Sequence, residues 1–447
     1  MKPWSFQNRA VRLAETALRT KRAVLVVSPG ASGKTVMIGV LARRWLRRGR
    51  RVLIVMHRRE LVHQTRAHLS RLGVRERDVG VVLAGAEHLR NRAARCQIAS
   101  IQTLRRRRER PPADLVIVDE AHHAMAESYL WLRKRYRAAR HAGFTATPFR
   151  MDGKGLADVY DEMVTATKPS ALLREGRIAE PIIYATPERF LPNVDSIRIV
   201  RGDYAVSELS RRVRKLEVVG NILTNWFKHA RGKRTLVFTV TIAHSRDVVG
   251  RFRRRGVAAE HIDGTMSVPE RERILNRFRA GHTTVLCNCM VLSEGFDIPA
   301  CQAVVLARPS RSASLYLQQA NRGLRYYRGR RPIILDHGRF LQAFGMPEAD
   351  RHFSLSDSKA DRACRAAQVR ICPKCSRVCA HACRRCPECG HKFPEITALL
   401  PKEAMALLER YSRRQRSRFA DRLRAFAKKH ELPRRWVAAA LRVWSCQ

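Results

Sequence analysis

Between residues 23 and 148 the chain repeats one pattern: a short unbroken apolar run, a polar turn, then a helical stretch. The runs are AVLVVSP (23–29), RVLIVMH (51–57), CQIASIQTL (96–104), LVIVDEA (115–121) and AGFTATP (142–148). They do not alternate apolar with polar positions, as strands with one wet face would. Continuous runs of this length are expected for strands buried on both faces, the condition of a parallel sheet covered by helices. The pattern returns within 234–340 as RTLVFTV, VAAEHID, TTVLCNCM, AVVLARP and PIILDHG. Two α/β units of similar size are therefore predicted, at 1–165 and 221–345, with 166–220 as a linker region carrying short elements of its own. After Gly345 the strand pattern stops; a cysteine-rich segment fills 371–393 and a basic helical tail 396–447.

A chain of 447 residues, 45% of them apolar, is long enough for two or three domains, each with its own core. Charge changes the picture: 88 Lys and Arg against 39 Asp and Glu leave a net +49. Such a chain is drawn to polyanions, nucleic acid foremost. Arginines spread along the whole sequence also suit solvated helix faces such as ARRWLRRGRR (42–51). No apolar stretch nears the roughly 20 residues that span a bilayer, and MKPWSFQNRA has no apolar leader core. The expected location is cytoplasmic and nucleoid-associated, with no membrane partner.

Chemistry enters at the ends of the runs. The first is followed by SPGASGKT (28–35) and then by the helical TVMIGVLARRWL. Gly30 and Gly33 let the backbone turn its N–H groups toward an anion, and the next helix adds the positive end of its dipole. In that setting Lys34 reaches the β and γ phosphates of a nucleotide, and the Thr35 hydroxyl meets Mg2+. Ser28 stands where the pattern G-x-x-x-x-G-K-[ST] has its first glycine, but the close approach to phosphate comes nearer Gly33. LVIVDEAHH ends in two adjacent carboxylates. Asp119 is suited to hold Mg2+ through water, and Glu120 to orient and deprotonate an attacking water. The same two residues would also serve as an acidic helix cap. In LYLQQANRGLRYYRGR (315–330), Arg322 and Arg325 are predicted to share one helix face, able to meet a γ-phosphate across a cleft. A solvated basic face is the other reading of that pair.

In this order the motifs resemble those of superfamily 2 helicases of the DEAD/DEAH-box kind, over roughly residues 3–340. FQ (6–7) resembles the upstream glutamine motif, HRRELVHQ (57–64) motif Ia, and SIQTL (100–104) motif Ib. DEAH (119–122) is similar to motif II, TAT (145–147) to motif III, TLVFTVT (235–241) to motif IV, LSEGFDIP (292–299) to motif V and QQANRGLR (318–325) to motif VI. The resemblance implies two tandem RecA-like P-loop NTPase domains with ATP and Mg2+ between them. Implied nucleotide contacts are Gln7, which reads adenine, then Gly30, Ser32, Gly33, Lys34 and Thr35, with Gly295, Asp297 and Gln318 from the second domain. Catalysis falls to Lys34, Asp119, Glu120, Arg322 and Arg325, and Thr35 and Asp119 are the magnesium ligands. Arg59, Gln102, Thr103 and Ser293 are implied contacts to one nucleic-acid strand, of a chemistry that suits phosphate and sugar and reads no base. His122, Thr145 and Thr147 couple hydrolysis to that strand. Two departures stand out: Asn321 replaces the glycine of motif VI, and CNC (287–289) precedes motif V where a Thr-Asp pair is common.

The implied function is an ATP-dependent DNA helicase or translocase with a nucleic-acid-stimulated ATPase, acting in DNA repair or recombination. The alternatives are a duplex translocase or branch-migration ATPase that separates no strands, an RNA helicase, and a nucleic-acid-binding protein with weak ATPase. Single-stranded or branched DNA is the expected partner, RNA the alternative, together with a repair or single-strand-binding protein. The run RRRRER (105–110) either grips phosphates or is a solvated turn.

Six of the twelve cysteines crowd into 372–389. So tight a cluster suggests metal rather than a disulfide framework. Cys372-Pro-Lys-Cys375 and Cys386-Pro-Glu-Cys389 form two matching knuckles ten residues apart, a pattern whose four thiolates close around Zn2+. Cys383 and Cys386 also have legal spacing, and an iron–sulfur cluster is the rival metal. Core, ILDHG, zinc ribbon and basic tail together resemble the RadD (YejH) branch of DNA-repair helicase-like ATPases. A ribbon outside the ATPase core is expected to bind DNA or a partner protein. In the tail, Phe419, Leu423 and Phe426, then Trp436, Leu441 and Trp444, predict a small helical pair.

Overall fold

The computed structural model describes residues 2–107, 110–149, 155–187, 190–200, 202–292, 301–325, 329–356, 369–393 and 424–425. The helical pair expected within 396–447 lies outside them, save for 424–425. Met1–His381 form one compact unit and Ala382–Gln447 a second.

The first domain is a seven-stranded sheet of β1 (Ala23–Val27), β2 (Val52–Met56), β3 (Val79–Val82), β4 (Cys96–Ser100), β5 (Leu115–Asp119), β6 (Arg140–Thr145) and β7 (Glu162–Thr165). All pairings are parallel, in the order β3-β4-β2-β5-β6-β1-β7. Successive side chains point to opposite faces, so a strand without alternation must be covered twice. Val24 and Val26 go into one apolar cluster and Leu25 and Val27 into another, none more than 2% exposed. Helices α1 (Ser5–Thr20), α2 (Lys34–Arg47) and α3 (Arg59–Arg71) cover the first face; α4 (Ile101–Arg106) and α5 (Glu127–Arg135) cover the second. The predicted strand at 96–104 ends at Ser100, where α4 begins.

The chain continues through α6 (Pro169–Arg174), β8 (Ile182–Ala185), a hairpin of β9 (Ile199–Val200) and β10 (Asp203–Tyr204), α7 (Val206–Val213) and α8 (Leu216–His229). The second domain then adds β11 (Thr235–Phe238), α9 (Ile242–Arg254), β12 (Ala259–Ile262), α10 (Val268–Ala280), β13 (Val285–Asn288), β14 (Ala303–Leu306), α11 (Ala313–Ala320), β15 (Ile333–Asp336) and α12 (Phe340–Phe344). Its six parallel strands run β12-β13-β11-β14-β15-β8. Thus β8, from the stretch assigned to the linker, is an outer strand of this sheet, with Ile182 and Ile183 beside Ile333 and Ile334. A four-residue run whose partner lies 151 positions away leaves little local trace in the sequence.

Two segments tie the domains further. Beyond Gly345 the chain returns to the first domain, where Leu156 and Ala157 donate their N–H groups to Leu355 O, each at 3.0 Å. Phe353 meets Phe149, and Asp350 accepts from Ser170 N and Oγ. The hairpin of β16 (Val369–Ile371) and β17 (Val378–Ala380) packs on the outer edge of β8. Ala185 N donates to Ser376 O at 3.0 Å, Val378 enters the second domain's core, and Arg377 lies over the Tyr184 ring. This corrects the expectation of a ribbon standing wholly outside the core: its first hairpin covers a sheet edge that would otherwise be open to pairing. Among the described residues, no helix is long and apolar enough to cross a membrane.

Glu348 marks a cost in this packing. The residue is half-buried, with its Oε2 turned inward and without a hydrogen-bond partner among the described residues. Burial, reinforced by Glu180, raises its carboxyl from 4.5 to about 7. A group raised in this way stabilises the fold below its unfolded value, and that contribution is lost as pH rises through the folded value. Glu348→Gln should therefore raise the melting temperature at about pH 8 and leave it nearly unchanged at about pH 5. An equal shift at both would show that the proton plays no part.

Candidate active site

The phosphate loop is built by short backbone ties. Ser28 N donates to Thr145 O at the end of β6 (2.9 Å). Its hydroxyl donates to Ser32 Oγ (2.7 Å), which in turn donates to Pro29 O (2.6 Å). Ser28 is fully buried. Its side chain therefore braces the loop from behind, which is why a serine serves at this position. Ala31 and Gly33 take left-handed backbone, at φ 62° and 77°, turning the loop inward ahead of α2. Lys34 and Thr35 open that helix, at the positive end of its dipole. Gln7 is buried; its Nε2 donates to Ser32 O at 2.9 Å and its Oε1 accepts from Trp4 N at 2.9 Å. In this state its amide is spent on the loop backbone.

At the end of β5, Asp119 is buried and its Oδ1 accepts from Glu120 N at 2.9 Å. Glu120 has φ 49°, an uncommon backbone for a residue with a side chain. That turn brings Glu120 Oε1 to 4.0 Å from Lys34 Nζ.

The two arginines of the second domain are not on a helix, contrary to the sequence prediction. α11 ends at Ala320, with Asn321 as its cap. The next N–H groups make tighter bonds, Arg322 N to Gln319 O and Gly323 N to Ala320 O, and the chain then turns away. Arg325 bridges Ile178, while Ala179 N donates to Leu324 O at 3.0 Å. A tertiary partner from the stretch after α6 thus holds this strand-like end, which local periodicity cannot report. Burial lowers the Arg325 guanidinium below its usual range.

A single cavity of about 150 Å3 joins both halves. Residues 30–35, Asp119 and Glu120 line it from the first domain; Gln318, Asn321, Arg322 and Arg325 line it from the second. Leu61 and Gln64 of α3 also reach it, which the motif reading missed although Gln64 closes HRRELVHQ. A cavity of about 470 Å3 lies elsewhere, between α9 and α10, and is lined by arginines and two glutamates. Two of those arginines are already engaged, Arg277 with Glu260 and Arg253 with Ala259 O. Paired acids, a lysine at a helix start and facing guanidiniums make the smaller cavity the chemical site.

Behind it runs a polar network. His122 Nδ1 lies 3.2 Å from Thr145 Oγ1, and His122 Nε2 lies 3.1 Å from Gln318 Nε2. Thr145 Oγ1 already donates to Thr147 O, so it accepts from Nδ1–H, and Nε2 accepts from the glutamine. That assigns the tautomer. Thr147 Oγ1 meets Ser314 Oγ across the domain boundary at 2.8 Å. His123 packs against both His122 (4.2 Å between ring centroids) and His57 (5.0 Å).

The implied strand contacts are dispersed over the first domain. Thr103 Oγ1 accepts from Ala84 N, Gln102 Nε2 donates to His57 O, and Arg59 lies near Gly85. Arg58, which sequence reading passed over, crosses to the second domain and donates to Val291 O at 2.6 Å. Ser293, Gly295 and Asp297 lie outside the described residues. Cys372 and Cys375 fall in the first compact unit, and Cys386 and Cys389 in the second.

Fold and cavity together define the class: two tandem RecA-like domains whose residues line one shared cavity. Residues 1–150 match the family model described as type III restriction enzyme, res subunit, and residues 214–327 match the helicase conserved C-terminal domain. Over 374 residues the chain is 31% identical to the 51.5 kDa protein of Lactococcus phage (isolate 7-9), covering 83% of this chain and 78% of that one. It is also 31% identical over 341 residues to the "Putative mitochondrial ATP-dependent helicase irc3" of Schizosaccharomyces pombe, covering 71% of this chain and 54% of that protein. Among solved structures, Saccharomyces cerevisiae Dbp5 bound to RNA and ADP BeF3 is similar in fold, with a TM-score of 0.51 at 16% identity, covering 75% of this chain and 83% of that one. The chain belongs to the superfamily 2 helicases and is an ATP-hydrolysing enzyme.

Removing the Ser28 hydroxyl tests the bracing of the loop. Ser28→Ala should cost about 1 kcal/mol and lower the chemical-denaturation midpoint of the nucleotide-free chain. An unchanged midpoint would mean that the loop holds without this bond.

Proposed function

We propose that this chain is an ATP-driven motor on DNA, a helicase or translocase of repair or recombination related to the RadD (YejH) branch. The observation that carries the reading is the one cavity lined by Lys34, Asp119 and Glu120 from one domain and Gln318, Arg322 and Arg325 from the other. Neither domain alone presents enough positive charge and acid–base chemistry for phosphoryl transfer.

In this reading the loop N–H groups and Lys34 neutralise the phosphates of ATP, and Thr35 and Asp119 hold Mg2+. The donor set suits that ion, with a hydroxyl and a carboxylate at the mouth of an anion-binding loop. The metal would supply charge for the phosphate oxygens. Glu120 takes the proton from the attacking water, while Arg322 and Arg325 stabilise charge on the transferred phosphoryl group. His122, Thr145, Thr147 and Gln318 link that step to the domain boundary, because His122 bonds Gln318 and Thr147 bonds Ser314 across it while Thr145 holds both His122 and Thr147. Arg59, Gln102 and Thr103 contact the strand in this reading, and the roles expected of Ser293, Gly295 and Asp297 fall outside the described residues. With +49 net charge, DNA binding should weaken steeply with salt and show little sequence preference.

The two knuckles, Cys372-Pro-Lys-Cys375 and Cys386-Pro-Glu-Cys389, supply the four thiolates that one tetrahedral Zn2+ takes. The ion would hold the knuckles together and so support the hairpin packed on β8.

The deciding measurement is ATP turnover with single-stranded, duplex and branched DNA and with RNA as stimulants. DNA is expected to stimulate more than RNA. Lys34→Ala should abolish turnover, and Glu120→Gln should lower it about 10²- to 10⁴-fold with ATP binding retained. Unchanged turnover in Lys34→Ala would remove the reading, and stronger stimulation by RNA would move it to an RNA helicase. Elemental analysis should find about one zinc per chain; iron in its place would mean a cluster.

A further inference from the structure

Asn321 is the neutral side chain among the second domain's contributions to the nucleotide cavity that lies directly on the phosphate loop. A Cβ at Gly30 would collide with the Asn321 carboxamide, both its Cγ and its Nδ2. Gly30 has an ordinary negative φ, unlike Ala31 and Gly33 beside it. Its lack of a side chain is therefore needed for space rather than for backbone conformation. The occupant of that space is the residue that departs from the glycine of motif VI.

The carboxamide sits where a charge-sensing group belongs. Asn321 is the cap of α11 and immediately precedes Arg322, and both line the cavity with Lys34 and Glu120. Only its backbone is tied, through Asn321 N to Leu317 O at 2.9 Å. No side-chain hydrogen bond of Asn321 is present among the described residues. Its other side faces a second cavity of about 220 Å3, lined mainly by apolar groups such as Val27, Pro29, Leu317, Leu324 and Phe353. Asn321 is thus a wall between a polar chamber and an apolar one. Thr165, Thr167 and His352 also line the second chamber, but among the described residues none is hydrogen-bonded to the amide, whose other side faces the phosphate loop, where an oxygen of a bound phosphate chain would accept from it.

We infer that Asn321 is a specificity-determining contact, its Nδ2–H donating to an oxygen of the terminal phosphates of a nucleoside triphosphate, so that the second domain senses tri- against diphosphate through this amide. The inference rests on the ATPase reading above and deepens it. An aspartate of the same shape would replace the donor by an anion beside phosphate, and a glycine would remove the contact while leaving room.

Equilibrium binding of fluorescent derivatives of a non-hydrolysable ATP analogue and of ADP to the full chain tests it. Asn321→Asp should weaken the triphosphate at least about tenfold and the diphosphate by less than about threefold. Asn321→Gly should shift the ratio the same way by a smaller factor. Gly30→Ala should lose triphosphate affinity, and Gly30→Ala with Asn321→Gly should recover part of it, because the second change empties the space that the methyl needs. Parental tri- to diphosphate ratios in both Asn321 variants overturn the inference and leave the ATPase reading standing, as does Gly30→Ala binding as tightly as the parent. A parent chain that binds neither nucleotide overturns both readings.

Discussion

Lys34 and Glu120 face each other at 4.0 Å at the carboxyl end of one sheet, and the remaining positive charge of the site comes from the other domain. That division is the constraint on which the rest depends. The lysine is only about one-sixth exposed, and its nearest anion is the carboxylate of Glu120. In the proposed reading a triphosphate would compete for the lysine and leave the carboxylate to water. Ligands of open parallel sheets bind outside the carboxyl ends of the strands; here the carboxyl end of the first sheet shares a cavity with the turn after α11, at the amino end of β8 and β15 in the second.

The framework keeps those ends in register by several ties of different kinds. The segment after Gly345 returns to the first domain through Leu355, Phe353 and Asp350. Thr147 and Ser314 meet across the boundary, and Arg58 reaches the carbonyl of Val291. Leu355 and Phe353 also pack on the first domain's core, and Phe149 clusters with Ala313 and Phe344; the remaining ties are hydrogen bonds, each worth about 1 kcal/mol net. Such ties define a geometry and can still be exchanged for others when the domains move. Glu120 and Ala31, both in left-handed backbone, line the shared cavity, the kind of place where strain is commonly stored.

The histidines extend the same logic. His122 uses both ring nitrogens, one toward Thr145 and the other toward Gln318 of the opposite domain. His123 packs, with tilted rings, between His122 and His57, and His57 in turn meets Arg58 and Gln102. The acids at the end of β5 and the residues after β2 are therefore in physical contact through three imidazoles. Contact of this kind is a route for coupling and not yet a measure of it.

Much of this was legible in the residue order. Unbroken apolar runs gave the strands of two parallel sheets, because burial on both faces removes alternation, and the phosphate loop and the acid pair stood at strand ends where they had to be. The short outer strand β8 escaped, since its identity comes from β15 far along the chain. The helix expected under Arg322 and Arg325 was also wrong, because a bond from Ala179 to Leu324 ends it, and no local pattern encodes a partner so distant. The ribbon's place against β8 had the same origin. What the order of residues settled alone was which groups are present and which elements carry them, since hydrophobic burial and loop chemistry act over a few neighbours. Which of those groups meet, Asn321 against Gly30 above all, was decided only by packing, because contact between the two domains depends on the shape of both.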